Sequence, residues 1–332
     1  MACTDPGREL DGLSTGVPAG TTDLRAVDCG RGVFVVNLPV AVCYDRGPNM
    51  ILRTVSIMIA AALMAAAQHG DSAFPAHKVV GNVYYVGSTA LASYLITTRE
   101  GHILINSSFE ETVPLIRASV EKLGFKFGDI KILLDSHAHS DHVAGNALVK
   151  QLTGARVMVM KGDETVVSTG GGGDFFYTNR WKACPVDKVL HDGEKVSLGG
   201  SELMAHLTPG HTRGCTTWTM TVNENGKSYQ VVIVGSPNVN AGFQLVNGSK
   251  YPEMADDFTR TFRVLKALRC DVFLGAHGAY YGMAEKYMRI GKGGENPFVD
   301  PEGYKEMVKS KEAVFLQKLG EQKLSEQKLG RK

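Results

Sequence analysis

Eight residues constrain this chain more than any others: Asp135-Ser136-His137-Ala138-His139-Ser140-Asp141-His142. Three histidines and a carboxylate fall within six positions, directly after Ile132-Leu133-Leu134. That apolar run reads as a short buried strand, and Gly145-Asn146 followed by Leu148, Val149 and Leu152 reads as a helix start. The cluster therefore lies on a strand-to-helix loop, where a rigid scaffold presents functional groups. In extended chain His137 and His139 point the same way, and the turn that follows aims Asp141 and His142 at a second point. Imidazole and carboxylate are ligands that suit zinc. A solvated polar loop does not explain this density; a metal site does.

One loop rarely completes a catalytic metal site, so more histidines are expected at other strand ends. Thr208-Pro209-Gly210-His211 follows the strand-like Leu203-Met204-Ala205-His206-Leu207 and a Pro-Gly turn. Val272-Phe273-Leu274-Gly275-Ala276-His277 places another histidine at the end of a buried-strand pattern. His77, His102, His191 and His206 lie on or beside strand patterns and read as structural histidines.

Together these segments resemble the metallo-β-lactamase superfamily, and in detail the third subclass of class B β-lactamases. The likeness runs from about Val79 to Phe298. It includes His137 to Gly145, Thr208-Pro209-Gly210-His211-Thr212-Arg213-Gly214-Cys215-Thr216-Thr217-Trp218, and Asn296-Pro297-Phe298. The resemblance implies an α/β fold of four layers, αββα, with two mixed sheets inside and helices outside. It also implies two Zn2+ per chain, one held by His137, His139 and His211 and the other by Asp141, His142 and His277. Asp141 would in addition orient the attacking hydroxide.

The segment after strand Val231-Val232-Ile233-Val234 narrows the activity. Glyoxalase-like and phosphodiesterase relatives carry an aspartate there that bridges both metals, whereas this chain reads Gly235-Ser236-Pro237. Serine resembles the β-lactamase subclass, whose substrates are β-lactams. By the same resemblance Ser236 helps bind the substrate carboxylate or an ordered water. Gly170 to Gly173, followed by Asp174-Phe175-Phe176-Tyr177, matches a lid loop that lays Phe175 and Phe176 on the substrate. Relatives often carry Pro-Gly-Tyr where this chain has Ala241-Gly242-Phe243. Phe243 is then an apolar substrate contact that cannot donate to a developing oxyanion, which counts against efficiency. Two zincs in such a site would supply Lewis acidity and a hydroxide formed near neutral pH. Neither Ser136 nor Ser140 is needed as a nucleophile. Another hydrolase of this fold (lactonase or thioesterase-like) and a zinc-binding protein without turnover are the alternatives.

The 332 residues are 43% hydrophobic and 21% charged with a formal charge of +2, which gives no reason to expect a nucleic-acid partner. Residues 1–49 show no regular apolar pattern and hold Cys3, Cys29 and Cys43. From Met50 the chain runs through Arg53 into an apolar stretch ending Ala65-Ala66-Ala67, too short to span a bilayer. Residues 50–73 therefore read as a secretory signal peptide with Met50 as initiator, and 1–49 as an upstream over-extension. An internal core helix behind a genuine extension is the rival. The expected product is periplasmic, without a stable membrane anchor, and its oligomeric state is open, with a monomer favoured.

The catalytic domain is expected over 74–316, beginning with short strands around Val83 to Ile105 and a helix from Val113 to Leu123 stopped by Gly124. Strands follow at 156–160, 196–198, 202–207, 218–222 and 229–234, then a helix near 252–268. Three cysteines remain, so one disulfide is permitted but its pairing is open. Relatives pair a cysteine at position 270 with a later one, and Tyr304 stands at that later place. Cys215, close to His211, reads as a packed strand cysteine. Residues 317–332 form a low-complexity repeat, read as a solvated, fraying helical tail.

Overall fold

Strand residues alternate between two faces, and in this chain each face finds a different partner. The computed structural model describes residues 72–329. The expectations for residues 1–49 and for the export segment through residue 71 lie outside the described residues.

Seven strands form one sheet in chain order: β1 (His77–Val80), β2 (Val83–Tyr85), β3 (Tyr94–Thr98), β4 (Gly101–Ile105), β5 (Ile130–Leu134), β6 (Arg156–Met160) and β7 (Lys188–Leu190). Pairing is antiparallel from β1 to β4 and parallel from β4 to β7. The second sheet has the order β12-β11-β10-β9-β8, built from β8 (Lys195–Leu198), β9 (Ser201–Leu207), β10 (Thr216–Glu224), β11 (Lys227–Val234) and β12 (Val272–Gly275). Only its β11–β12 pair is parallel. Both sheets are mixed, as expected.

Leu95, Leu104, Leu133 and Val157 point out of the first sheet and meet Val113, Ile116 and Val120 of helix α1 (Val113–Lys122). Their neighbours Tyr94, Ile96, Ile103, Ile105, Leu134 and Met158 point the other way and join Ala205, Trp218 and Met220 of the second sheet. The core between the sheets is thus the product of period-two alternation in both. Gly124, at φ +88°, ends the first helix region in a conformation that favours glycine.

The metal loop contains its own one-turn helix, α2 (Ser140–Val143), before α3 (Asn146–Thr153). The sequence suggests only a turn there. Short helices α4 (Glu164–Ser168) and α6 (Met283–Tyr287) are likewise not legible from periodicity, whereas α5 (Met254–Ala267) lies where a helix is expected. Helix α7 (Pro301–Leu329) is continuous through residues 317–329 of the low-complexity repeat. Its Phe315 stacks on Phe258 and Phe262 of α5. Leu319 packs against the main core, so the repeat is not wholly solvated.

Cys184, Cys215 and Cys270 are all buried free thiols, so no disulfide forms among the described residues. Tyr304 donates its hydroxyl to Leu265 O at 2.7 Å. None of the helices in the described residues is long and apolar enough to cross a membrane.

Candidate metal centre

Four strands of the two sheets end at one edge. β5 delivers residues 135–142, β9 leads through Thr208-Pro209-Gly210 to His211, β11 ends before Ser236, and β12 ends before His277. Cross-links hold these ends together: Thr216 N donates to Ser136 O (2.7 Å), and Trp218 Nε1 to Asp135 O (3.0 Å). Leu91 and His277 form an isolated bridge. Gly210 lies flat on Phe258, where a Cβ would come 2.7 Å from the ring, so the turn into His211 requires glycine.

His137, His139 and His211 offer nitrogens that all lie within 4.8 Å of one another. His211 Nδ1 donates to Asn238 O at 2.8 Å, which fixes the ring's tautomer and leaves its other nitrogen as a lone-pair donor. His139 Nε2 is buried with no hydrogen-bond partner. His137 is shared ground: its ring centroid is 4.1 Å from that of His142, and it also groups with Asp141 and His142.

The second set converges more tightly. Asp141 Oδ2 lies 3.2 Å from His142 Nε2 and 3.8 Å from His277 Nε2, and the two nitrogens are 3.2 Å apart. Zinc–nitrogen bonds of about 2.0–2.1 Å in a tetrahedron give donor–donor edges of roughly 3.3 Å. The observed triangle matches that size. Lone pairs aimed at one another across such distances are repulsive without a cation between them, so the donor set fits a metal.

Burial makes these rings good ligands. It pushes His137 well below the usual imidazole range, with the neighbouring histidines adding to the shift. His139 falls to about 4 and His211 to about 3, each chiefly by burial. Such rings are neutral at physiological pH and keep their lone pairs. Burial opposes ionisation of Asp141, but His142, which also hydrogen-bonds it, and His277 outweigh that and hold its carboxyl low.

Asp163, at the head of α4, ties the two loops of the first set together. Its Oδ2 accepts from Ala138 N (2.8 Å) and Thr212 Oγ1 (2.7 Å), and its Oδ1 from Gly214 N (2.8 Å). A Cβ on Gly214 would come 2.8 Å from the carboxyl carbon, so glycine permits the approach. Burial raises this acid to about 6 against those three donors.

Above the ligands lies a cavity of about 400 Å³, lined by His137, His139, Asp141, His211 and His277 together with Tyr177, Asn179, Trp181, Asn238 and Asn240. Ser236, Phe243, Phe175 and Phe176 do not line it. Ser236 is buried, its Oγ hydrogen-bonded to Tyr280 Oη at 3.1 Å. Phe175 and Phe176 pack edge-on against Phe243 at 5.3 and 5.0 Å, since three adjacent rings shed more water on one another than over an open cavity. The lid is held by Asp174 Oδ1, which accepts from Phe176 N and Tyr177 N, both at 2.7 Å.

It is Tyr177 that faces the donor histidines, edge-on to His139 at 4.8 Å, while its hydroxyl accepts from Asn240 Nδ2 at 2.8 Å. With that acceptor role taken, the phenol proton is free to donate into the cavity. Tyr177→Phe is expected to raise KM by roughly three- to tenfold, the scale of one hydrogen bond, with kcat less affected. Steady-state kinetics on the variant check this. Tyr177, Asn238, Asn240 and Asp163 are site residues that the sequence reading passes over. The aromatic run after the glycines was a local signal for Tyr177 alone.

Two adjoining His-rich donor groups under a cavity, at the strand ends of a two-sheet sandwich, are the arrangement of a metal-dependent hydrolase. Residues 89–220 match the model of the metallo-β-lactamase superfamily. The FEZ-1 metallo-β-lactamase from Legionella gormanii is 53% identical, with 75% of this chain and 97% of that chain covered and a TM-score of 0.74. A class B3 di-zinc metallo-β-lactamase, LRA-12, from an Alaskan soil metagenome is 31% identical, covering 74% of this chain and 94% of that one at a TM-score of 0.71. Human mitochondrial persulfide dioxygenase ETHE1 is 26% identical over 130 residues, which is 39% of this chain and spans only 42% of that relative's length. The chain belongs to the metallo-β-lactamase superfamily, alongside its B3 subclass.

Proposed function

We propose that the protein is a zinc β-lactamase, with two Zn2+ per chain, that hydrolyses the β-lactam amide bond. The observation that carries this reading is a site with both ligand sets complete and Ser236, not a carboxylate, at the end of β11, in a chain 53% identical to a metallo-β-lactamase. His137, His139 and His211 would hold one ion, and Asp141, His142 and His277 the other. When bound, the pair supplies Lewis acidity and lowers the pKa of water toward neutrality.

The chain's own groups do the rest. Asn238 O orients His211, Asp163 sets the spacing of two ligand loops, and Asp141 stays ionised to take a hydrogen bond from the attacking water. Tyr177 and Asn240, joined by a hydrogen bond, would face the substrate from the cavity lining. Ser136 is 1% exposed, so it does not meet a substrate as a nucleophile.

The test is turnover of a cephalosporin and a carbapenem beside a lactone and a hydroxyacyl thioester. β-Lactam hydrolysis well above the other two is expected. Thioester or lactone turnover alone would transfer the chain to the alternative hydrolase reading. We extend the proposal to a periplasmic location, from the export pattern of residues 50–73. N-terminal sequencing of exported protein should begin between Gln68 and Phe74, and an intact Met1 contradicts that part.

A further inference from the structure

The segment 238–247 forms one wall of the metal cavity. Asn238 and Asn240 line it, Asn238 O holds the His211 ring, and Phe243 supports the lid through Phe175 and Phe176. Within the segment the turn closes with a single bond, Phe243 N to Asn240 O at 3.2 Å. Several of its other polar groups, at Val239, Phe243, Leu245, Val246 and Asn247, meet the end of α7.

There the side chain of Gln322 meets three backbone groups at once. Its Oε1 accepts from Leu245 N (2.7 Å) and Val246 N (3.3 Å), while its Nε2 donates to Phe243 O (2.8 Å). Lys318 Nζ donates to Val239 O, and Glu326 Oε2 accepts from Asn247 Nδ2 at 2.8 Å. Three side chains spaced four apart on one helix face therefore grip successive points of the segment. Leu245 is 4% exposed, so its amide would pay a desolvation cost without this acceptor. A glutamine amide, with one acceptor oxygen and a donor NH2, suits this backbone pattern; a lysine or glutamate does not.

We propose that the C-terminal part of α7, from Lys318 to Glu326, is a clamp that positions the substrate-facing wall, and that Gln322 is its central positioning residue. The clamp acts on substrate binding, through Asn240, Phe243 and the lid, and not on metal affinity. The kinetic part rests on the β-lactamase reading; the structural part does not. Leu319 anchors the helix to the core beside the clamp, so register along α7 is transmitted directly to the wall.

The full-length protein and its Gln322→Leu and Gln322→Glu variants test this, together with a chain ending after Leu316. Amide exchange at Leu245 and Val246 should rise in Gln322→Leu and in the truncated chain. It should rise less in Gln322→Glu, which keeps the acceptor but sets a carboxylate oxygen against Phe243 O. KM for a cephalosporin should rise roughly three- to tenfold in Gln322→Leu, less in Gln322→Glu, with zinc content unchanged; positioning errors act on binding and orientation. Wild-type exchange in Gln322→Leu overturns the clamp. Raised exchange with wild-type KM reduces it to a structural contact and overturns its role in the site. If the wild-type protein turns over no β-lactam, the functional reading fails and the exchange comparison still decides whether the clamp exists.

Discussion

Replacing His139 by alanine is expected to cut zinc content from two ions per chain to one and to abolish turnover. His139 is 6% exposed, with a ring that burial holds neutral near a pKa of about 4, and it supplies one of only three nitrogens in the first set. Two imidazoles cannot close a tetrahedral site on their own, and no nearby group replaces the third. Asp174 Oδ2 lies 3.9 Å from His139 Nε2, but the Phe176 and Tyr177 amides hold that side chain in the lid through its Oδ1. The loss should exceed the roughly 10–100-fold that removal of an outer-shell partner costs. Metal analysis after gel filtration and kcat on a cephalosporin measure both effects. A variant that keeps two zincs and most of its activity contradicts the ligand assignment.

Asp163→Asn is expected to weaken the first metal site by about 10–100-fold while leaving the second nearly intact. The carboxylate accepts three hydrogen bonds, one beside His137 and His139 and two beside His211. An asparagine has one acceptor oxygen, so its NH2 must face either Gly214 N or the Ala138 and Thr212 donors. One buried donor is then opposed, at about 1–3 kcal/mol of folding stability. The loops drift apart, and only the first set spans both of them. Chelator competition on the variant should show one weakened and one wild-type site. Two unchanged affinities would mean that the loops hold their spacing without the tie. Thr212→Val removes a single donor and should fall between the two proteins.

The candidate ligand residues stood out in the sequence because metal chemistry writes itself into local sequence. His137, His139, Asp141 and His142 share one loop, and His211 and His277 each follow a strand pattern and a small residue. The helices Val113–Lys122 and Met254–Ala267 were legible because helical spacing is local, whereas the two mixed sheets followed from the family resemblance. Tyr177 and Asp163 were not. Their roles come from hydrogen bonds that span 63 and 49 positions of chain, to Asn240 and Thr212, and no short-range pattern encodes them. Phe175 and Phe176 look from the sequence like rings meant for a substrate, yet Phe243 and Tyr251 lie nearer and take them.

The tail was read as solvated because glutamine, lysine and glutamate spread around a helix leave little apolar stripe. Docking through a glutamine side chain onto backbone amides leaves no trace in hydropathy. The same holds for the one-turn helix Ser140–Val143, whose four residues are polar except for the last. That turn matters to the site, because it carries Asp141 and His142 round to His277.

The central claim is that two zinc ions held by these six residues hydrolyse β-lactams. Stepwise return of zinc to chelator-stripped protein, with cephalosporin hydrolysis read at each addition, tests it most directly. Turnover should be absent from the stripped protein, rise with added metal and level off at two zincs per chain. Protein that holds two zincs and leaves the β-lactam intact, or stripped protein that still hydrolyses it, contradicts the account.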